Sequence, residues 1–320
     1  MAVAGRPHHL CENTMPKRLT IRHTTTYSYA APVTFGEHRL MLRPRDSHDI
    51  RLVAATLTLS PPGQLRWVHD VFGNSVAYAG FAGPAAELVI TSELAIERYA
   101  LDRPPFALDP AAARYPFIYS ADDRADLARL VELHHPDPKG QLRDWAQGFV
   151  QGPTTDTLAL VADINLGIRN GFQYNARDEE GTQAPLETLE RGSGTCRDFA
   201  FLMVEALRAL GIGARFVTGY LYDPALDGGD GAGVSGAGAT HAWVDVYLPG
   251  AGWVEYDPTN GLVGSASLVR VGVAREPSQA IPIVGSFTGR PGDFLGMAVD
   301  VRVTAGGPAP ANAEAAAAAA

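Results

Sequence analysis

From Leu19 to Leu101 the chain alternates apolar and polar positions in short runs rich in Thr, Val, Tyr and Ile, each bounded by turn residues. The runs Leu19 to Tyr29, Glu37 to Leu42, Arg51 to Leu59, Leu65 to Val68, Val76 to Phe81 and Glu87 to Arg98 have the period of two that puts alternate side chains on opposite faces of a strand. Phe72-Gly73-Asn74-Ser75 and Ser60-Pro61-Pro62-Gly63 predict hairpin turns. Several short strands at this spacing predict a β-sandwich over residues 17–101.

Residues 102–116 carry Pro104, Pro105, Pro110 and Pro116 and predict a linker. Beyond it the period changes to that of helices, over Ala121 to Leu133, Gly140 to Val150 and Asp156 to Arg169, the last with Leu158, Val161, Ile164 and Ile168 on one face. The strongest helical signal opens at Thr195, an N-cap with Asp198 three residues on. It carries Phe199, Leu202, Met203, Ala206, Leu207 and Leu210 as a buried stripe and stops at Gly211. Ala214 to Tyr222 predicts a strand, and the Gly- and Ala-rich stretch 223–239 a mobile loop.

Ala242, Val244, Val246 and Leu248 alternate with His241, Trp243, Asp245 and Tyr247, so one strand turns its apolar face to the core and His241 with Trp243 to the other side. Trp253 to Asp257 is its return strand. A five-residue connection from Leu248 to Gly252 sets Trp243 opposite Asp257 and leaves His241 diagonal to Asp257 on the same face. A shift of one residue would turn Asp257 away. Leu268 to Val273 and Met297 to Thr304 predict further strands, assigned with the rest of residues 117–304 to one core and its β extension. Residues 1–16, with a start expected at Met15, and 305–320, ending in six alanines, predict disorder.

Composition narrows the chemistry. A net charge of −9 without clustered Lys or Arg argues against nucleic-acid or anionic-membrane partners. Two cysteines, Cys11 and Cys196, cannot build a disulfide framework, and no secretory or membrane-spanning run stands out, so a cytoplasmic location is expected. The nine histidines are scattered apart from His8-His9 and His134-His135, so neither a metal site nor another cofactor is expected.

What remains is Cys196 in Gly192-Ser193-Gly194-Thr195-Cys196-Arg197-Asp198. A helix N-terminus offers unsatisfied N–H groups and the positive end of the dipole, which favour a thiolate and an oxyanion beside it. A lone Cys there is more often a small buried residue. His241 and Asp257 downstream supply a base and an orienting carboxylate, and together the three make a thiol acyl-transfer set.

These stretches, with Arg208-Ala-Leu-Gly-Ile-Gly-Ala-Arg215, Thr240-His241-Ala-Trp-Val-Asp-Val and Gly252-Trp-Val-Glu-Tyr-Asp257-Pro-Thr-Asn, resemble the core of the bacterial transglutaminase-like superfamily over about Asp156 to Gly261. Residues 18–100 are similar to the N-terminal domain that often precedes that core. The resemblance implies an α+β protein in which a β-sandwich-like domain precedes a papain-like core, its Cys helix packed on an antiparallel sheet. It also implies a Cys196 nucleophile, a His241 base and acid, an Asp257 orienter, and a peptide or protein amide substrate. The animal enzymes place an upstream Trp as second oxyanion donor, where this chain has Phe172-Gln173-Tyr174, making Tyr174 the candidate. Trp243 and Trp253 are expected to wall the cleft, and Asp198 to serve the helix cap or touch substrate. Nothing in the sequence calls for the calcium sites of the animal enzymes.

Overall fold

A computed structural model describes residues 16–99, 106–175, 181–227 and 239–306. The alternating N-terminal runs are strands β1 (Lys17–Phe35), β2 (His38–Arg43), β3 (Ile50–Ser60), β4 (Gly63–His69), β5 (Ser75–Phe81) and β6 (Ala85–Arg98). β1, β6 and β3 lie side by side in one antiparallel sheet; β2, β5 and β4 form another. Val33, Phe35, Leu40, Ala77, Leu88 and Ile90 from the two sheets pack together as the filling of a sandwich. The turn at residues 70–74 joins the paired strands β4 and β5, as expected. Ser60-Pro61-Pro62-Gly63 does not make a hairpin: β3 pairs with β6 and β4 with β5, so this turn carries the chain from one sheet to the other.

The described part of the linker ends in β7 (Arg114–Tyr115), which pairs with β8 (Thr155–Asp156). Between them α1 (Ala121–Leu127) starts on Ser120, whose side chain accepts the Asp123 N–H. The expected helix to Leu133 stops early, passing into a 3-10 turn over Ala128–Val131. α2 (Gln141–Gln147) follows, and α3 (Thr157–Gly171) is capped by Asp156 and buries Leu160, Val161, Ile164 and Ile168. The sequence pattern missed β9 (Gln173–Tyr174), α4 (Pro185–Arg191) and β10 (Ser193–Gly194), all too short for a periodicity to emerge.

Helix α5 (Cys196–Ala209) is buried on nearly every side, beyond the apolar stripe read from its sequence. Two charges tolerate this because they are fully partnered. Arg208 donates to Glu205 at 2.7 Å and to the carbonyls of Ala214 and Arg275, while Glu205 accepts the backbone N–H groups of His134 and His135. Beside α5 lie β11 (Ala214–Leu221), the short α6 (Pro224–Asp227), β12 (Thr240–Leu248), β13 (Gly252–Asp257), β14 (Leu262–Val263) and β15 (Leu268–Ala274). The five strands form an antiparallel sheet in the order β14-β13-β12-β11-β15. Ala242, Val244, Val246 and Leu248 face the helix core, as the alternation required. Most of the Gly-rich stretch, residues 228–238, and the two expected disordered ends, residues 1–15 and 307–320, lie outside the described residues.

The C-terminal strands depart from expectation. β16 (Ile283–Val284), β17 (Phe287–Thr288) and β18 (Phe294–Ala305) do not extend the core sheet; β16 pairs with β2, and β17 and β18 with β1. The sandwich is therefore closed by the far end of the chain, a pairing between segments more than 240 residues apart that no local pattern encodes. β15 stays with the core, where Gly272 lets Met41 of the sandwich approach so closely that a Cβ would lie 2.3 Å from its sulfur. Asn74, in the β4–β5 turn, donates to the Val273 carbonyl at 2.7 Å and accepts the Val273 N–H at 2.9 Å. Leu19, Ile21, Leu94, Tyr220, Val269 and Val301 complete an apolar joint between the two halves. Among the described residues no helix is long and apolar enough to cross a membrane.

A buried ionic cluster reinforces the joint. Arg98 at the end of β6 bonds Asp49, Glu255 of β13 at 3.2 Å and the Ser265 carbonyl at 3.3 Å. Arg270 lies 3.9 Å from Asp49, Asp245 and Glu255. Burial pushes the Glu255 carboxyl up to about 7 despite these cations. Truncating Arg98 would leave Asp49 and Glu255 without their closest cation in a poorly hydrated joint. Arg98→Ala is expected to lower unfolding stability by about 3–5 kcal/mol, read from the midpoint and slope of urea denaturation. A change within the error of that measurement would show that the cluster contributes nothing.

Candidate active site

The hairpin of β12 and β13 sets the first distance. Val244 stands opposite Tyr256 and Leu248 opposite Gly252. The same register continued by one step puts Trp243 opposite Asp257 and makes His241 its diagonal neighbour, as the connection length predicted. His241 Nε2 lies 2.8 Å from Asp257 Oδ2, and both side chains are fully buried.

Asp257 is held from its other side by the turn that follows it. Its Oδ1 accepts the N–H groups of Thr259 at 2.9 Å and Asn260 at 3.3 Å, and its Oδ2 accepts from the Asn260 amide at 2.8 Å. This is how an Asx residue before Pro-Thr-Asn uses its carboxylate to close a turn. Asn260 thus grips the same carboxylate oxygen as His241, a partnership that no local sequence pattern announces.

Cys196 is the first residue of α5. The helix is anchored by Asp198, whose Oδ2 accepts both the N–H (2.8 Å) and the hydroxyl (2.9 Å) of Thr195, and whose Oδ1 accepts the Gln183 N–H at 2.7 Å. Asp198 is completely buried, so the geometry gives it the capping role. Gly194 makes room for it: a Cβ at that position would sit 2.8 Å from the Asp198 Cβ.

The parallel pairing of β9 with β10 brings Tyr174 opposite Gly194, two residues before the thiol. Tyr174 is about one-third exposed, at 36%, and its ring packs against Phe199. Its hydroxyl pKa is pushed up to about 12, first by burial and then by the negative charges of Cys196, Asp257 and Asp198. Tyr174 thus feels all three and remains a neutral donor.

Burial works against a charged His241, but the Asp257 carboxylate and the Cys196 sulfur together outweigh it and raise the imidazole above its ordinary range. Burial likewise opposes charge on Asp257, and His241, Asn260 and Thr259 hold it below the usual carboxylate value. His241 Nδ1 is buried without a well-formed hydrogen bond, leaving it as the nitrogen available on the ring's other side. The arrangement favours a protonated imidazole near the Cys196 sulfur in a water-poor site.

The two tryptophans do not wall a cleft. Trp243 is 0% exposed, within the apolar cluster of Val217, Leu221, Leu268 and Val273, and its ring stacks on His241 at 6.1 Å between centroids. It backs the imidazole. Trp253 sits at the other end of the hairpin, edge-on to Tyr247 and under the Arg215 guanidinium at 4.0 Å, because four residues of extended strand separate it from Asp257. Among the described residues no group of three or more His, Cys, Asp or Glu is arranged to hold a metal ion.

Replacing Asp257 by Asn removes the carboxylate's charge and leaves the Cys196 sulfur as the remaining counterweight to burial. His241 is then expected to titrate well below its wild-type midpoint, which lies above the ordinary imidazole range; nitrogen NMR of the ring reads both. Because the folded-state pKa is raised, the stabilisation His241 contributes is complete below about pH 6.5 and is lost as pH rises through the folded value. Asp257, held low, contributes above its ordinary range and loses this on acidification. Identical ring midpoints in the two proteins would contradict the pairing.

Comparison with known proteins agrees with this architecture. Residues 143–258 match the model of the transglutaminase-like superfamily, and residues 19–97 that of the bacterial transglutaminase-like N-terminal region. An uncharacterized protein of Mycobacterium tuberculosis is 29% identical over 296 residues, covering 89% of this chain and 92% of that one. A protein-glutamine gamma-glutamyltransferase of Pseudomonas aeruginosa is 42% identical over 133 residues, covering 42% of this chain and 17% of that one. A solved structure of a candidate cysteine protease from Cytophaga hutchinsonii shares the fold with a TM-score of 0.66 at 18% identity, covering 92% of each chain. With a sandwich matching the bacterial N-terminal region and a Cys helix packed on an antiparallel sheet within the matching core, the chain belongs to the transglutaminase-like superfamily.

Proposed function

We propose that this protein is a thiol-dependent acyl-transfer enzyme acting on peptide or isopeptide amides, with Cys196 as nucleophile, His241 as base and acid, and Asp257 as orienter. The observation that carries the reading is the buried 2.8 Å contact between His241 and Asp257, with the ring's second nitrogen unengaged and the Cys196 sulfur acting on the same imidazole. A surface pair of this kind would contribute little, whereas burying two charges costs several kcal/mol per ion before their attraction offsets it. A catalytic duty accounts for keeping that arrangement beside a helix-start cysteine.

In the proposed reaction the Cys196 thiol gives its proton to His241 Nδ1 and the thiolate attacks the amide carbonyl. The C–N bond then breaks, and the leaving nitrogen takes the proton from the imidazolium. Water next loses a proton to His241 and adds to the thioester. Collapse releases a carboxylic acid, and the proton returns to sulfur. The Cys196 N–H at the helix start and the Tyr174 hydroxyl are the proposed donors to the oxyanion of both tetrahedral intermediates.

Water as acceptor is the first reading. Transfer to an amine is the second, favoured by the 42% identity that part of this chain shares with the Pseudomonas aeruginosa gamma-glutamyltransferase. Intact-mass spectrometry after incubation with a glutamine peptide, with and without a primary amine, separates them: a gain of one mass unit marks hydrolysis, and an amine adduct marks transfer.

Iodoacetamide should alkylate Cys196 faster than free cysteine at pH 7, and His241→Ala should abolish the advantage. Alkylation no faster than free cysteine would defeat the proposal. Tyr174→Phe is expected to lower kcat by roughly 10- to 1,000-fold if the hydroxyl serves the oxyanion, with little change in alkylation rate, since alkylation forms no oxyanion. An unchanged kcat would leave Tyr174 an ordinary strand aromatic.

A further inference from the structure

A cleft of about 800 Å³ runs between the sandwich and the core. Its wall includes Arg197 and Thr240, the chain neighbours of Cys196 and His241. Its floor is the inner face of the β1–β18 pair. Tyr27 stands opposite Met297, Thr25 opposite Val299, His23 opposite Val301 and Ile21 opposite Val303, so all these side chains share one face. Val301 and Val303 are buried in the joint with the core. Two residues further along the same strand, Val299 and Met297 are 44% and 52% exposed, and Phe294 and Phe287 beyond them are likewise uncovered. An apolar sheet face built to be covered is thus covered over half its length and open over the other half.

The charge on the wall is as selective. Arg197 is its one permanent cation among the described residues. No hydrogen bond or ion pair of a described residue engages that guanidinium, although it is half-buried and shares a helix face with Phe201, one turn on. Glu276, the one carboxylate on the wall among the described residues, is already paired with Arg275 at 3.4 Å. His23, between Tyr220 and Thr25, is held by burial near a pKa of about 4 and is neutral. Among the described residues, a half-buried guanidinium beside an open apolar floor is thus without a counter-charge, which a ligand carboxylate can supply.

We infer that this cleft is an extended subsite for the acyl-donor polypeptide, which lays apolar or aromatic side chains on Met297, Val299 and Phe294 and sets a carboxylate side chain against Arg197. The occupant is taken to be the substrate because the cleft wall includes the residues flanking Cys196 and His241; this rests on the acyl-transfer reading. The N-terminal sandwich, joined to the core through Asn74 and Arg98, is then part of the binding site and selects the donor.

The test uses full-length protein carrying Cys196→Ala and four short fluorescein-labelled peptides with a central glutamine. Their flanks are acidic and Leu/Phe-rich, acidic and Ser-rich, basic and Leu/Phe-rich, or basic and Ser-rich. Fluorescence anisotropy should show the acidic, apolar peptide binding at least about tenfold tighter than either single change. Adding Arg197→Glu should invert the charge preference while keeping the apolar one. Adding Met297→Asp, or Val299→Asp if the first does not fold, should remove the apolar preference while keeping the acidic one. Equal binding of the four peptides, or an unchanged preference in Arg197→Glu, would overturn the assignment. The two readings fail separately. Rapid alkylation of Cys196 in wild-type protein with no peptide preference sinks the subsite alone. A slow thiol with the preference intact sinks the acyl-transfer reading and leaves the cleft a peptide-binding groove.

Discussion

His241 and Asp257 meet 2.8 Å apart where no water reaches either side chain, and much of the core is arranged so that this contact is possible. Two ionisable groups in such a place are tolerated only when geometry is tight and the carboxylate's remaining lone pairs are answered. The three-residue loop between β12 and β13 fixes the register, the Thr259 and Asn260 donors occupy the rest of the carboxylate, and Trp243 lies stacked against the imidazole. One residue of slip in the hairpin would turn the carboxylate to the α5 side of the sheet and leave the imidazole unpaired in the core.

The same hairpin is held at its other end by the sandwich. Glu255 lies two residues before Asp257, on the same face, and meets Arg98 from β6. Asn74 pins β15 through both backbone groups of Val273. The position of the strand bearing the candidate orienting carboxylate is therefore tied to a segment more than 150 residues earlier. The sandwich, closed by β18 from the opposite end of the chain, supplies both this clamp and the floor of the cleft.

Local chemistry made much of this legible. The period-two runs gave β1 to β6 within a few residues of their bounds, apart from a longer end to β1, because alternation is dictated by one buried and one wetter sheet face. Thr195 and Asp198 mark the start of α5, and the length from Leu248 to Gly252 sets the hairpin register. The parallel β9–β10 pair and the short α4 carried no signal. Their stability comes from what they pack against, since elements of two to seven residues are too short to be stable by themselves.

The sequence alone determined which residues could form the site, the order Cys196, His241, Asp257, and the face of β12 on which His241 stands. These follow from backbone periodicity, capping and turn length, all of which act over a few residues. Only the tertiary structure decided that Trp243 backs the imidazole while Trp253 lies at the far end of the hairpin, that Asn260 shares the carboxylate, and that β16 to β18 return to the sandwich. It also placed Arg197 in the wall of a cleft floored by β18, with no partner among the described residues. Such outcomes depend on strand pairing and burial between distant segments, where many partners satisfy the same local pattern and only the packed whole selects one.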